Sequence, residues 1–208
     1  MRPELFIDRW RVRLAHPLPG RAAQSQLAPD LSYGRHSDPP AWNARPAAVI
    51  ALFYRHGKQW RLPLTVRPAH LSAHAGQICL PGGAIQDDES IEQAALRELQ
   101  EEIGIPPDGV QLLGRLSPIN LFVSNFSVAP CVAVTESAPQ FVLDPSEVNE
   151  VIELPLERLL EPAARGHDRI PGRAIPLSAP YYEYQGHRIW GATAMMLSEL
   201  AVLWQELC

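Results

Sequence analysis

The sequence predicts an α/β fold in which helices pack against a mixed β-sheet. Three observations carry this prediction. Two apolar, β-prone runs at 47–54 and 60–67 flank a turn that contains Gly57, an acid-rich amphipathic segment covers 89–103, and a largely apolar segment covers 191–207. Strands and helices of this kind bury their apolar faces as layers around one core. The pattern alone leaves the strand order open, as well as the choice between α/β and α+β.

The elements that precede the first strand are a helix and a connection. Apolar residues recur at roughly helical spacing over 4–14 and predict a short amphipathic helix with a packing role. From residue 16 to residue 46 the chain carries six prolines with little periodicity, which indicates a long irregular connection that covers a site or forms a disordered arm. The apolar residues of the first helix are Leu5, Phe6, Trp10 and Leu14.

The elements that follow begin with a hairpin formed by 47–54 and 60–67, because Gly57 suits its turn. Further strands are expected at 110–118 and 126–134. A short helix is expected at 154–160 and a longer terminal helix at 191–207. The tyrosines at 181, 182 and 184 and Trp190 precede that helix, where packing in the core is a better interpretation than stacking on an adenine ring.

Length and composition favour one domain over 1–208, with a core at 47–207 after an N-terminal helix and connection at 1–46. The chain has 208 residues, of which 46% are hydrophobic and 20% charged, and no apolar run approaches the ~20 residues needed to cross a membrane. A net charge of -5 gives no general attraction for nucleic acid. The three cysteines form no CxxC pair. We therefore expect a cytoplasmic protein without a nucleic-acid or membrane partner.

The segment 89–103 predicts the clearest helix. Asp87 or Asp88 can cap it, Glu89 adds negative charge near its start, and Gly104 provides a stop. An apolar stripe is flanked by three glutamates within about one turn, namely Glu98, Glu101 and Glu102. The stripe consists of Ile91, Ala95, Leu96, Leu99 and Ile103.

Three neighbouring carboxylates repel one another, and a divalent cation removes that repulsion. Magnesium takes one or two carboxylates and leaves its other positions to water or substrate phosphates, so such a site suits phosphate chemistry. Gly82 and Gly83 allow a tight turn just before the helix, which brings backbone groups close to the ion or phosphate. The alternative is a solvated helix face on which Arg97 pairs with Glu101 four residues away.

The spacing decides between these alternatives. From Gly83 the chain reads glycine, five residues, Glu89, seven residues, the triplet 97–99, one residue, the pair 101–102, one residue, and then Gly104 and Ile105. This arrangement resembles the Nudix box, the signature of the Nudix hydrolases, at every specified position. The resemblance implies a Nudix-type α/β/α sandwich with a mixed β-sheet and a loop-helix-loop catalytic motif, and hydrolysis of a diphosphate linked to another moiety with Mg2+ or Mn2+ as cofactor.

The resemblance also implies roles for individual residues. Glu98 and Glu102 match the main metal ligands, and Glu101 matches a further ligand or a water-activating group. Arg97 and Glu89 would orient the helix and the loop through ion pairs. A loop carboxylate near the metals is a candidate general base, and both Glu147 and Glu150 fit that position. Zinc binding by His70 and His74 is a weaker alternative, since no third ligand is evident.

The stretch 63–83 resembles the second signature of the coenzyme A pyrophosphatase branch, and 180–200 is similar to that branch's C-terminal segment. Ser72 departs from an arginine in the pattern and supplies no charge for a phosphate; Pro63, Pro68 and Leu80 depart too. Arg67, Gly82 and Gly83 are the expected substrate-binding residues. The matching positions are Leu64, Thr65, Arg67, Gly76, Pro81, Gly82 and Gly83.

The substrate implied is a nucleoside-diphosphate-linked small molecule, coenzyme A or an acyl-CoA, cleaved to 3',5'-ADP and 4'-phosphopantetheine or its acyl form. The other Nudix substrates stay open: ADP-ribose, a dinucleotide, a nucleotide sugar or a nucleoside triphosphate. A regulatory Nudix domain that binds nucleotides without catalysis is a further alternative, although its acidic cluster would usually be broken. A homodimer is compatible with the sequence.

Overall fold

The computed structural model describes residues 2–30, 40–70, 76–121, 124–170 and 177–208. Its α-helices are α1 (Pro3–Leu14), α2 (Arg21–Gln24), α3 (Ile91–Ile103) and α4 (Gly191–Leu207), and short 3-10 turns lie at Ser25–Leu27, Pro107–Gly109, Leu156–Leu160 and Pro162–Ala164. The strands are β1 (Arg45–His56), β2 (Gln59–Val66), β3 (Ile78–Cys79), β4 (Gly82–Ala84), β5 (Val110–Arg115), β6 (Ile119–Leu121), β7 (Phe126–Thr135), β8 (Glu150–Pro155), β9 (Arg165–Ile170), β10 (Leu177–Tyr184) and β11 (His187–Trp190).

The long strand β1 organises the main sheet. It runs parallel to β7 from the pair Arg45 and Phe126 to the pair Phe53 and Val134. Its first half also pairs antiparallel with β4, and its last residues pair antiparallel with β2, so the predicted hairpin is confirmed. Within the described ranges, eight strands form this mixed sheet, in which β3 and β8 extend the pairing from β2 while β5 and β6 extend it from β7.

Side chains of β1 alternate between two apolar cores on opposite faces of the sheet. Ala51 and Phe53 belong to the core that α1 and α4 cover, whereas Ile50 and Leu52 belong to the core that α3 covers. Each fully buried side chain of this size contributes about 1.5–3 kcal/mol from removal of its apolar surface from water. Helices therefore cover both faces, and the expected α/β/α sandwich is confirmed.

The N-terminal helix α1 is held by aromatic packing. The Phe6 ring stacks on Trp60 of β2 with 3.7 Å between centroids and 10° between planes. Trp10 lies against Phe53 at 4.9 Å, and Phe6 meets Trp204 of α4 edge-on at 5.6 Å. Phe6 and Trp10 are buried, as the helical spacing predicts, while Leu5 is half exposed because it lies off this stripe.

The connection before β1 is more ordered than its prolines suggest. Residues 21–27 form α2 and a 3-10 turn that pack on α4, so the expectation of an irregular segment throughout 16–46 was wrong there. Contacts with α4, which lies about 175 residues later in the chain, override the lack of sequence periodicity. Residues 31–39 of the same connection lie outside the described residues.

Residues 165–190 contain a small antiparallel sheet in the order β11-β10-β9, which the sequence pattern did not predict. Tyr182 on β10 is fully buried and Tyr181 nearly so, in line with core packing. The Arg165 guanidinium lies 5.4 Å from the Tyr182 ring centroid. The helix expected at 154–160 is a strand end followed by a 3-10 turn, whereas the terminal helix at 191–207 is confirmed. Among the described residues, no helix is both long enough and apolar enough to span a membrane.

Candidate active site

The acidic helix α3 begins at a capping box. The Ser90 hydroxyl accepts a hydrogen bond from the Gln93 backbone N–H at 3.2 Å, and the Gln93 side chain accepts one from the Ser90 N–H at 2.8 Å. The expected cap at Asp87 or Asp88 was therefore wrong, since serine and glutamine satisfy two helix N–H groups reciprocally. The serine-x-x-glutamine spacing is visible in the sequence and was the overlooked signal.

The helix ends at Gly104, as predicted, with φ of 74° and its N–H donating to the Gln100 carbonyl at 3.0 Å. A β-carbon there would clash with Val142, so glycine serves both the left-handed backbone and the close approach. The Val142 N–H donates to the Ile103 carbonyl at 3.0 Å, and the Asp144 N–H donates to the Glu102 carbonyl at 3.1 Å. The last turn of α3 thereby holds the start of the 142–149 loop.

Gly82 and Gly83 lie in strand β4 beside β1, rather than in the tight turn that the sequence suggested. A β-carbon on Gly82 would clash with the Ala48 carbonyl oxygen, and one on Gly83 would clash with the Glu98 carboxylate. The two glycines thus allow close approach rather than reversal of the chain. The Gly82 backbone N–H lies close enough to Glu102 to lower the pKa of its carboxyl group.

Three carboxylates meet at this edge of the molecule. Glu98 and Glu102 on α3 and Glu147 on the loop between β7 and β8 each offer an oxygen, and these oxygens lie within 4.8 Å of one another. Glu102 is 3% exposed, and its Oε2 is buried without a hydrogen-bond partner. Glu98 is largely buried, while Glu147 is exposed at the outer side of the cluster. Within the described ranges, no other trio of His, Cys, Asp or Glu comes this close.

Two carboxyl groups of the cluster, those of Glu98 and Glu102, are harder to ionise than usual while no cation is bound. Burial raises the pKa of Glu102 to about 8, and repulsion from Glu98 and Glu147 adds to that effect; the Gly82 N–H and Arg67 oppose it. Burial likewise raises the pKa of Glu98, against the opposing effect of Arg97. A bound cation would reverse these shifts because it favours the ionised form of each carboxyl group.

The donor set fits a hard divalent cation. All three groups are carboxylates, the ligand type that magnesium and manganese prefer. A buried polar atom without a partner, such as Glu102 Oε2, is rare in folded proteins, and a cation would satisfy it. The zinc alternative gains no support, since His70 is exposed on a turn and His74 lies outside the described residues.

Arg97 connects the loop before α3 to the cluster. Its Nε donates to Glu89 at 2.9 Å, and its NH1 group donates to Glu98 at 2.7 Å and to Glu101 at 2.8 Å. Its NH2 group donates to Glu89 and to the Ala84 carbonyl, both at 3.1 Å. These acceptors raise the pKa of Arg97, and Arg97 in turn lowers the pKa of Glu89. The guanidinium therefore fixes one oxygen of Glu98 and leaves the other for the cluster.

The structure does not bring Glu101 into the three-carboxylate group. Its side chain is 58% exposed and forms the i,i+4 ion pair with Arg97 that the solvated-face alternative describes. Glu102, by contrast, is buried, so that alternative does not describe the helix edge as a whole. Glu150 begins β8, where its carboxylate lies 3.3 Å from Nε2 of His187. Of the two loop acids that the sequence left open, Glu147 is the one beside Glu98 and Glu102.

Arg67 directly follows β2. Its N–H donates to the Gln77 carbonyl at 2.9 Å, and its carbonyl accepts from the Gly76 N–H at 3.1 Å. Its Nε is buried without a hydrogen-bond partner. The charge of Arg67 is close enough to lower the pKa of Glu102, which places the guanidinium on the same side as the carboxylates. Ser72, the departure from the substrate signature, lies outside the described residues.

Comparisons with known proteins agree with this geometry. A family model described as NUDIX domain matches residues 44–172. The uncharacterized Nudix hydrolase NudL of Pectobacterium atrosepticum is 38% identical over 181 residues, which are 86% of this chain and 89% of that relative. Its counterpart in Photorhabdus laumondii is 38% identical over 160 residues, 76% and 84% of the two chains. The crystal structure of a MutT protein from Methanosarcina mazei Go1 has the same fold, with a TM-score of 0.52 at 19% identity over 80% of this chain and 98% of that one.

Proposed function

This chain belongs to the Nudix hydrolase family, whose members act on pyrophosphate bonds, and on that basis we propose that it cleaves the diphosphate of coenzyme A or an acyl-CoA with Mg2+ or Mn2+. The products would be 3',5'-ADP and 4'-phosphopantetheine or its acyl form. The proposal has two parts, the metal-dependent chemistry and the choice of substrate, and different residues support them.

The observation that carries the chemistry is the group of Glu98, Glu102 and Glu147, with the unpartnered buried oxygen of Glu102 at its centre. These residues would hold the divalent ions. When bound, the ions would neutralise diphosphate oxygens, lower the pKa of a water molecule and stabilise charge as the P–O bond breaks. The carboxylates alone would repel a diphosphate, so the cluster needs the cation before it can accept the substrate.

The remaining residues of the site either position the metal ligands or accept a proton. Arg97 holds the Glu98 carboxylate and ties it to the preceding loop. Glu147 lies on the exposed side of the cluster, where water has access, and we assign it both roles: one carboxylate oxygen would face the ion and the other would accept the proton of the attacking water. Glu101, held on the outer side of Arg97, is the alternative proton acceptor. Gly82 and Gly83 keep β4 close enough for Glu98 and Glu102 to reach their positions.

The substrate assignment is supported by Arg67 together with the coenzyme A signature in the sequence. The Arg67 charge lies close enough to Glu102 to lower its pKa, so the guanidinium is placed where it could donate to a phosphate oxygen of a bound diphosphate. A planar guanidinium can donate two parallel hydrogen bonds to one phosphate, which a lysine cannot. Coenzyme A carries a further phosphate on the 3' position of the ribose whose 5' position bears the diphosphate, and such a group would suit this donor.

A substrate panel tests the proposal. Purified protein is incubated with coenzyme A, an acyl-CoA, ADP-ribose, NADH and nucleoside triphosphates, each with Mg2+, Mn2+ or EDTA, and products are identified by mass spectrometry. We expect 3',5'-ADP from coenzyme A and no product with EDTA. The control variant Glu136→Gln should form as much product as the unmodified protein, since Glu136 is an exposed residue just after β7.

The other outcomes are distinct. Cleavage of ADP-ribose or another nucleotide with coenzyme A intact would keep the hydrolase and overturn the substrate. Tight nucleotide binding without any product would instead indicate the regulatory alternative. An Arg67→Lys variant helps to distinguish coenzyme A from the other nucleotide substrates. It should raise KM for coenzyme A more than KM for a substrate that lacks the additional phosphate.

A further inference from the structure

The loop that carries Glu147 contains a turn closed by Asp144. One Asp144 carboxylate oxygen, Oδ1, accepts hydrogen bonds from the Ser146 N–H at 2.8 Å and the Ser146 hydroxyl at 2.7 Å. The Asp144 carbonyl accepts from the N–H groups of Glu147 at 3.1 Å and Val148 at 2.8 Å. Asp144 therefore accepts hydrogen bonds from Ser146, Glu147 and Val148, which are all the residues of this turn after Pro145.

Asp144 also connects this turn to the helix that carries the other two carboxylates. Its N–H donates to the carbonyl of Glu102, so one residue links the backbone of a cluster member to the turn that presents Glu147. On the far side, Val148 is buried in the core beneath α3, and the Asn149 N–H donates to the Val66 carbonyl at 2.8 Å. Glu147 thus projects from a short arch fixed at both ends.

The arch has to resist an electrostatic force. Glu147 is exposed and offers an oxygen within 4.8 Å of oxygens of Glu98 and Glu102, so repulsion between ionised carboxylates would push its segment outward while no cation is bound. An exposed side chain on an unrestrained loop would respond by moving away from its neighbours. The hydrogen bonds of Asp144 oppose that movement, because rotation of the 145–147 peptides would break them.

We propose that Asp144 is a positioning residue of the metal site, whose carboxylate closes the turn that holds Glu147 within coordinating distance of Glu98 and Glu102. This inference rests on the proposed function, because it assumes that the three carboxylates bind the cation together. It assigns no contact with metal or substrate to Asp144 itself. Residues that orient metal ligands typically change metal affinity by 10–100-fold when they are replaced.

The test measures Mn2+ binding directly, by electron paramagnetic resonance of free Mn2+ and by calorimetry, in the full chain without substrate. We expect Asp144→Ala to weaken binding by about tenfold. Asp144→Asn should retain most of the affinity, since its carbonyl oxygen can accept the same two hydrogen bonds. Ser146→Ala, which removes one donor and leaves the backbone intact, should weaken binding less than Asp144→Ala does.

Two controls separate positioning from a general loss of structure. Asp168→Ala removes another exposed aspartate that accepts a backbone N–H, from Arg169 at 2.7 Å, on a strand away from the cluster, and should bind Mn2+ normally. In a Glu147→Gln background, Asp144→Ala should have little additional effect, because the group that it positions is already lost. Circular dichroism melts verify that each variant is folded at the assay temperature.

The outcomes distinguish this inference from the function on which it rests. Unchanged Mn2+ affinity in Asp144→Ala, in a protein that binds Mn2+ and hydrolyses its substrate, overturns the positioning role and leaves the function intact. An equal effect of Asp144→Ala with and without Glu147 overturns it as well, since the residue would then act by another route. A protein that binds no Mn2+ at all overturns both.

Discussion

Glu102 and Glu199 are two buried glutamates with opposite surroundings. Glu199 on α4 is 0% exposed and accepts hydrogen bonds from the Gly20 N–H at 3.0 Å, the Gln24 amide at 2.9 Å and the Ser117 hydroxyl at 2.8 Å. Glu102 on α3 is 3% exposed, and its Oε2 has no donor. Its near neighbours are instead two further carboxylates.

The difference separates a structural anchor from a candidate cation site. Burial of a carboxylate is costly unless donors replace the lost water, and the donors around Glu199 do so. They come from the N-terminal segment and from the turn after β5, so Glu199 ties both to α4; the Ser198 hydroxyl adds a bond to the Ala23 carbonyl at 2.8 Å. Around Glu102 that replacement is incomplete, so Oε2 is left without a donor and is available to a cation, as we propose.

The largest expected effect comes from Glu102→Gln. The amide removes the charge that would hold the cation, and we expect kcat to fall by roughly 1,000-fold, about 4 kcal/mol of barrier. The fold should be retained, and the metal-free protein should become more stable above pH 8, because a buried charge and its repulsion are removed. Steady-state kinetics and urea unfolding in EDTA measure the two effects. Unchanged turnover would exclude Glu102 from the metal site.

The next effect is a pH dependence of stability without metal. The pKa of Glu102 is raised from 4.5 to about 8 in the folded state, so the native protein binds more protons than the unfolded chain between these values. The contribution of Glu102 to the free energy of unfolding is therefore greatest near or below pH 4.5. It falls by on the order of 4 kcal/mol as the pH rises to 8. Glu98 acts in the same direction.

Urea unfolding in EDTA from pH 5 to pH 9 measures this dependence, with Glu102→Gln as the matched variant in which most of it should disappear. Excess Mg2+ should restore stability at pH 8, by about 2.7 kcal/mol at a concentration 100 times Kd. If the unfolding free energy changed with pH equally in both proteins, Glu102 would be ionised in the fold without cost. That result would contradict the inference that Glu102, unlike Glu199, lacks the donors that compensate for burial.

The sequence alone identifies Glu102 as a site residue but does not identify Glu199 as an anchor, and the reason is physical. Glu98 and Glu102 lie one turn apart on a single helix, so their proximity follows from local geometry and the signature spacing. The donors of Glu199 come from residues 20, 24 and 117, and no local pattern brings those positions together. The position of Glu147 relative to Glu150 likewise depends on the 142–149 loop, whose anchors lie on α3 and β2.

The same distinction explains the fold predictions. The hairpin, α3 and α4 carry continuous apolar patterns and were found with nearly correct ends. The β9 to β11 sheet was missed because its strands carry no continuous apolar pattern and mix buried tyrosines with arginine and histidine. The cap of α3 lies at Ser90 and not at the aspartates, because Ser90 and Gln93 together satisfy two backbone N–H groups.

A smaller effect is expected when the anchor is broken. Glu199→Ala leaves the donors of Gly20, Gln24 and Ser117 without their acceptor, and we expect the free energy of unfolding to fall by about 3 kcal/mol. Because Glu199 lies outside the carboxylate cluster, kcat per folded molecule and Mn2+ affinity should be retained below the melting transition. Glu206→Gln, on the exposed side of the same helix, is the matched control and should cost less than about 1 kcal/mol.

The smallest effect is expected when a single donor to Glu199 is removed. Ser117→Ala removes the hydroxyl that donates to Glu199 at 2.8 Å and keeps the backbone N–H that approaches the same oxygen at 3.4 Å. Since the carboxylate retains donors from Gly20 and Gln24, stability should fall by only about 1 kcal/mol, with no change in turnover or metal affinity. A loss as large as that of Glu199→Ala would show that the donors act as one cooperative network, whereas no loss would mean that the remaining donors already satisfy the buried charge. Thermal melts of the two single variants and the double variant separate these cases, because only a cooperative network makes the two losses strongly non-additive.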